Sequence, residues 1–328
     1  MVYDYSKIEK LFFVGDVHGE FSQFFNNIKN GMIKKITEEK EDVHPLIQEE
    51  NSQNVEQGEF DVHDLLVESF KRKHVTIKTK LIDYSNSVII VAGDCGFGFN
   101  KHQYYVDTLK KINELMKINN TTLFFVRGNH DDPSYFNEDK LNFSNIICVK
   151  DYSVIITRNN TTLCVGGAIS VDRLWRKTQE TRLNKYSKNN YKRLYWENEK
   201  VIYDENLLNE LLSTGLKINS VVTHSSPSNM FPIEKSGLKS WFKLDKDLSK
   251  DVKEERENLL KIYNFLIENK QKIDFWVYGH FHQKNINKNS DGIVGIALND
   301  DLELNNINNL ISDYTETLTS IIFDDFKL

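Results

Sequence analysis

Five apolar runs in this chain break, each at its C-terminal end, into residues that bind metals, and no other feature constrains the fold so tightly. Leu11 to Val14 runs into Gly15-Asp16-Val17-His18-Gly19, Val88 to Ala92 into Gly93-Asp94, and Leu123 to Val126 into Arg127-Gly128-Asn129-His130-Asp131. Val221-Val222 passes through Thr223 into His224, and Phe275 to Tyr278 ends in Gly279-His280-Phe281-His282. Short apolar runs bounded by glycine suit strands covered on both faces. A Gly-Asn-His-Asp string alone also suits a surface turn. Recurrence favours a shared site: of nine histidines, five stand just past such runs, and ligands of open α/β sheets gather outside the carboxyl ends of strands.

Composition bounds the rest. A chain of 328 residues, 39% apolar, can bury the core of one large α/β domain with insertions or of two domains. The net charge of −6 argues against whole-surface nucleic-acid binding and leaves room for a local basic patch. Cys95, Cys148 and Cys164 lack the paired spacing of a zinc or redox motif and read as reduced, buried small residues. No apolar run approaches about 18 residues, and the first strand is reached without a cleavable hydrophobic region. The expectation is a soluble cytoplasmic protein with no membrane association and no obligate protein partner.

In chain order, a strand at Lys10 to Val14 precedes a helix at Glu20 to Lys29 with Phe21, Phe24, Phe25 and Ile28 at helical spacing. Residues 34–80 are polar and read as an exposed, partly helical insertion, in which His44, His63 and His74 lack any strand-end context. Strands at Ser87 to Ala92 and Thr122 to Val126 flank a helix at Tyr104 to Ile118, an order that predicts parallel crossover units. Asn145 to Lys150, Val154 to Thr157 and Leu163 to Val165 predict a turn to antiparallel packing in a second sheet. Helices near Glu205 to Leu212 and Asp251 to Glu268 alternate with the His224 and His280 strands, and Ile293 to Leu298 and Leu318 to Phe323 read as edge strands.

Imidazoles, carboxylates and one amide suit divalent transition ions, whereas an all-oxygen shell would suit calcium or magnesium. Asp16, His18, Asp94, Asn129, His224, His280 and His282 are too many for one tetrahedral ion. They match two ions sharing a carboxylate, an arrangement that clamps attacking and leaving oxygens and brings a bridging water towards hydroxide at neutral pH. His130, beside Asn129, can protonate the leaving oxygen, with Asp131 holding its orientation; the alternative is a hydrogen bond within the loop.

In that order, Asp-x-His, Gly-Asp, Gly-Asn-His-Asp, a lone histidine after a strand and Gly-His-x-His resemble the calcineurin-like metallophosphoesterases from Asp16 to His282. The resemblance implies a four-layer α/β/β/α sandwich of two mixed sheets with the dimetal site at strand C-terminal ends. It implies Asp16, His18 and His282 on one ion, Asn129, His224 and His280 on the other, and Asp94 bridging. It implies two divalent ions, manganese first, with iron, zinc or nickel as alternatives. The chain departs from the phosphoprotein phosphatases, whose Gly-Asp continues to a second Asp and an Arg-Gly; Gly93-Asp94-Cys95-Gly96 has no such arginine.

Residues 170–200 form a second insertion. From Ser170 to Trp196, eight basic residues, among them Arg173 and Arg176, face Asp172 and Glu180, interleaved with Trp175, Tyr186, Tyr191, Tyr195 and Trp196. Forked guanidinium bonds recognise phosphate and aromatic faces stack on bases, so the segment either covers the cleft and selects a nucleotide-like or polynucleotide phosphate or packs its aromatics on the core. Arg127 either contacts substrate or belongs to a structural ion pair. The expected activity is a phosphate mono- or diesterase, with a nuclease as the nearest alternative and a non-catalytic scaffold as a third.

Overall fold

In the computed structural model, residues 1–29, 33–41, 73–185, 192–232, 235 and 237–307 are described, with the backbone alone for 33–41 and 73–81. Two compact units result, Met1–Lys29 with Asp83–Leu328, and Asn30–Ile82. The elements in order are β1 (Val2–Tyr5), β2 (Lys10–Val14), α1 (Phe21–Lys29), β3 (Ile33–Glu41), β4 (Lys73–Leu81), β5 (Ser87–Val91), α2 (His102–Ile118), β6 (Thr122–Phe125), α3 (Ser134–Asn137) and β7 (Ile146–Cys148). They continue with β8 (Ser153–Thr157), β9 (Thr161–Val165), α4 (Arg173–Asn184), α5 (Glu205–Ser213), β10 (Ser220–Thr223), α6 (Leu238–Leu244), α7 (Leu248–Glu268), β11 (Phe275–Tyr278), β12 (Asn285–Lys288), β13 (Val294–Ala297) and β14 (Asn305–Asn306).

Two mixed sheets carry the larger unit. One has the order β14-β2-β5-β6-β7 and is parallel except for β14; the other has the order β1-β8-β9-β10-β11-β13-β12, with antiparallel pairs at β8/β9 and β12/β13. Every residue of β5, Ser-Val-Ile-Ile-Val, is buried, as a central parallel strand covered on both faces requires. Leu11, Phe13, Ile90 and Phe124 of the first sheet and Ile155, Val222, Val277 and Ile296 of the second belong to one core cluster. Phe13 meets Phe275 edge-on across it, with ring centroids 6.1 Å apart.

Helices cover the outer faces. Phe21, Phe24 and Ile28 form the buried face of α1, and Phe21 meets Phe125 of β6 edge-on. Leu208 of α5 and Leu259, Ile262 and Leu266 of α7 pack with Leu163, Val221 and Trp276 of the second sheet. α5 begins where the Asp204 carboxylate accepts from the Leu207 N–H at 3.0 Å. The result is an α/β/β/α sandwich.

The structure departs from the expected elements in four places. β7 joins the first sheet, parallel to β6, and antiparallel packing starts only at β8/β9. β13 is internal, because β12 pairs outside it. The polar stretch after α1 contributes β3 and β4, paired antiparallel from Ile33↔Leu81 to Glu41↔Lys73, where partial helix was expected; Ile33, Ile36, Thr37, Val75, Thr76 and Ile77 favour strand. The 170–200 segment contains the helix α4. Leu318 to Phe323, His44 and His63 lie outside the described residues, and His74 pairs with Lys40 within β4.

Candidate metal centre

β2, β5 and β6 are neighbours in one sheet, and β9, β10 and β11 are neighbours in the other. Their C-terminal ends therefore open onto one space, and the loops there knit together. The Asp94 carbonyl accepts from the Val17 and His18 N–H groups at 3.1 and 2.7 Å. Asp16 accepts from the His280 N–H at 3.1 and 3.2 Å through its two carboxylate oxygens. Gly128 is required because a Cβ there would lie 2.1 Å from the Asp94 nitrogen and 2.2 Å from Asp94 Oδ1; a Cβ on Gly93 would lie 2.3 Å from His224 Nδ1. His18, Asp94, His280 and His282 have φ of 48°, 47°, 67° and 52°, a left-handed conformation that costs about 1–3 kcal/mol per non-glycine residue and collects at functional sites.

The structure brings all seven expected donors together. Asp16, His18, Asp94 and His282 each offer one ligand atom, all within 4.8 Å of one another. His282 Nε2 is 3.1 Å from both Asp16 Oδ2 and His18 Nε2. On the other side His224 Nε2 lies 3.1 Å from Asp94 Oδ1 and 3.0 Å from Asn129 Oδ1, and the His280 ring centroid is 5.1 Å from that of His224. Asp94 turns Oδ1 to this second group and Oδ2 towards His18 Nδ1 at 3.9 Å.

Three features test whether these donors fit cations. His224 Nδ1 donates to the Ala92 carbonyl at 2.8 Å, so Nε2 is the nitrogen left to face two oxygens that can only accept. Asp94 Oδ2 and His280 Nδ1 are buried without a hydrogen-bond partner among the described residues, a costly state unless a ligand satisfies them. Burial works against charge on His224, yet the Asp94 and Asp16 carboxylates push its pKa up to about 9. Two buried carboxylates thus favour positive charge at His224, and with the unpartnered Asp94 and His280 atoms the residues fit divalent cations.

His130 sits at the edge of this cluster. Its Nδ1 is 3.4 Å from Asp94 Oδ2 and its Nε2 is 2.7 Å from Arg176 Nη2. Burial lowers its pKa to about 4, with the Arg176 and His18 charges adding to the effect and Asp94 opposing it. Arg176 is itself held by Asp172, Nε to Oδ1 at 2.7 Å, and its guanidinium lies over the Phe99 ring, 5.9 Å from the centroid.

Two expectations need correction, those for Asp131 and Arg173, and Arg127 takes the second of its two alternatives. Asp131 does not orient His130; it accepts from the N–H groups of Gly96, Gly128, Phe97 and Cys95 at 2.7, 2.8, 3.0 and 3.1 Å and so pins the loop carrying Asp94. Burial and the Asp94 charge push Asp131 up to about 6, against those donors. Arg127 belongs to a structural ion pair: its Nη2 donates to Asp151 at 2.9 Å and its Nη1 to the Glu199 carbonyl at 2.9 Å. Arg173 binds Asp245 through Nε and Nη2 and Asp251 through Nη1, committing all three nitrogens to carboxylates. Sequence reasoning assigned no role to Ser170, which meets Asn129, or to Glu199, which meets Ser170, because both contacts join residues far apart in sequence.

A model of the calcineurin-like phosphoesterase family matches residues 9–284. No curated protein matches the chain significantly. Among solved structures, the phosphopantetheinyl hydrolase of Mycobacterium tuberculosis aligns at 12% identity and a TM-score of 0.34 over 92% of this chain and 96% of its own. A Staphylococcus aureus protein described as a 5'-nucleotidase, in complex with alpha-ketoglutarate, aligns at 13% identity and a TM-score of 0.32 over 88% of this chain and 48% of its own. No helix among the described residues is long and apolar enough to cross a membrane.

Proposed function

The chain belongs to the calcineurin-like phosphoesterase family, and on that premise we propose that its strand-end donors hold two divalent cations at which a phosphate mono- or diester is hydrolysed. Asp16, His18 and His282 would hold one ion, Asn129, His224 and His280 the other, and Asp94 both. The observation that carries this reading is the Asp94 carboxylate, fully buried, with one oxygen 3.1 Å from His224 and the other without a hydrogen-bond partner among the described residues. When bound, such a pair of ions supplies Lewis acidity and activates water for in-line attack; the donor set accepts manganese, iron, zinc or nickel, and we take manganese as the ion to test first.

The protein's own groups set up the substrate side. Arg176, braced by Asp172, by the Leu194 carbonyl at 3.3 Å and by Phe99, carries its guanidinium beside the site, where Nη2, now on His130, is the donor placed for a phosphoryl oxygen. While it donates to His130 Nε2, that imidazole is a neutral acceptor. His130 regains a proton for the leaving oxygen once the guanidinium moves onto the substrate. Burial and Arg176 thus oppose the acid form in the free protein, and the acid role belongs to the substrate complex.

A nuclease is the second reading, favoured by Trp175, 53% exposed, and the half-exposed Lys177, which flank Arg176 on α4. Chelator-stripped protein reloaded with manganese should hydrolyse at least one member of a screen of aryl phosphates, cyclic nucleotides, phosphopeptides and nucleic acid. Preferential cleavage of single-stranded DNA or RNA would select the nuclease. Silence across the screen would leave the non-catalytic scaffold.

A further inference from the structure

We propose that Ser170 and Glu199 act as positioning residues that fix which way the Asn129 amide faces, turning its oxygen towards the candidate cations. The inference rests on the reading of Asn129 as a metal ligand. Ser170 ends the Gly166-Gly167-Ala168-Ile169 loop that follows β9, and Glu199 closes the inserted segment; both are buried. Glu199 is held in place where its carbonyl accepts from the Ala168 N–H at 3.1 Å and from Arg127 Nη1 at 2.9 Å.

The hydrogen bonds run in one direction. An ionised carboxylate only accepts. Ser170 donates to it twice, through its N–H to Oε1 at 2.9 Å and through its hydroxyl to Oε2 at 2.6 Å, the second a length typical of charge assistance. A hydroxyl has one proton, so the Ser170 oxygen can only accept from its other neighbour. Asn129 Nδ2 donates to it at 2.9 Å, which leaves Oδ1 facing His224 Nε2 at 3.0 Å. The carboxylate, two bonds away, thereby selects the amide orientation. Burial pushes Glu199 up towards the neutral acid, against the two Ser170 donors, and in that state it would donate to Ser170 and reverse the amide; a cation held at Asn129 Oδ1 therefore favours the ionised carboxylate, and the two bind as one linked arrangement.

The test is a Mn2+ titration of the full chain by calorimetry, with bound metal counted by elemental analysis. In Glu199→Gln the Ser170 N–H holds the new amide's oxygen, so its NH2 group falls against the hydroxyl, which must then donate to Asn129. The NH2 group of Asn129 would face the site, and Mn2+ binding should weaken by about tenfold or more, the usual reach of an outer-shell partner. Asn129→Asp supplies an acceptor at both oxygens, so Glu199→Gln should cost nothing in that background. Should Glu199→Gln not fold, Ser170→Ala carries the same test, with a loss beside Asn129 and none beside Asn129→Asp. Affinity within about twofold of the unaltered protein, or an equal loss in both backgrounds, overturns the proposal. An unaltered protein that binds no Mn2+ defeats the metal-site reading itself, and this inference with it.

Discussion

Replacing Asp94 by asparagine should remove both cations where replacing His282 removes one. The Asp94 oxygens face two donor groups, Oδ1 towards His224 and Oδ2 towards His18, at 3.1 and 3.9 Å, whereas His282, 34% exposed, turns Nε2 to Asp16 and His18 in one group and Nδ1 away from the site to Asp300 at 3.5 Å. An ion present at a hundredfold excess over its Kd adds about 2.7 kcal/mol to stability, and two add about 5 kcal/mol. At roughly 2 °C per kcal/mol for a domain of this size, manganese should raise the Tm of the unaltered protein by about 10 °C. Asp94→Asn should abolish that rise, and His282→Ala should keep about half of it. Scanning calorimetry with and without chelator reads the increments, and elemental analysis counts the ions. Two ions retained by Asp94→Asn, with a full Tm increment, would refute the argument that this carboxylate is shared.

Arg176→Ala should raise KM for phosphate esters by about tenfold while leaving metal stoichiometry unchanged, as steady-state kinetics and metal analysis would show; an equal loss of bound metal would place Arg176 in the metal site instead. Asp131→Asn turns an NH2 group towards a nest of N–H donors and should cost roughly 2–3 kcal/mol in urea unfolding, with the activity of the folded fraction little changed. Cation binding should release a proton near pH 7.5, because His224, pushed up to about 9 by Asp94 and Asp16, must give up its Nε2 proton to become a ligand. The release should fade as pH rises through 9, and calorimetry in buffers of different ionisation enthalpy measures it.

The candidate donor set was legible because buried strands are apolar without interruption, so any aspartate or histidine that ends one stands out. Periodicity marked α1, α2, α5 and α7 for the same reason. β1 and β12 were not visible, since Val2–Tyr5 and Asn285–Lys288 are edge strands of mixed polarity and are held by backbone pairing more than by buried side chains. Chain neighbourhood misled at Asp131, where the turn at Gly128 aims the carboxylate away from His130 and into the Cys95–Phe97 amides. Charge counting misled at Arg173, because its partners Asp245 and Asp251 lie some seventy residues away in sequence. Ser170 and Glu199 became meaningful only when the fold brought Ser170 to Asn129 and Glu199 to Ser170.

Anomalous diffraction from crystals soaked in manganese tests the central claim most directly. Two peaks about 3.5–4 Å apart, with Asp94 touching both, Asp16, His18 and His282 around one and Asn129, His224 and His280 around the other, are the predicted result. A single peak, or manganese bound away from these residues, would contradict it.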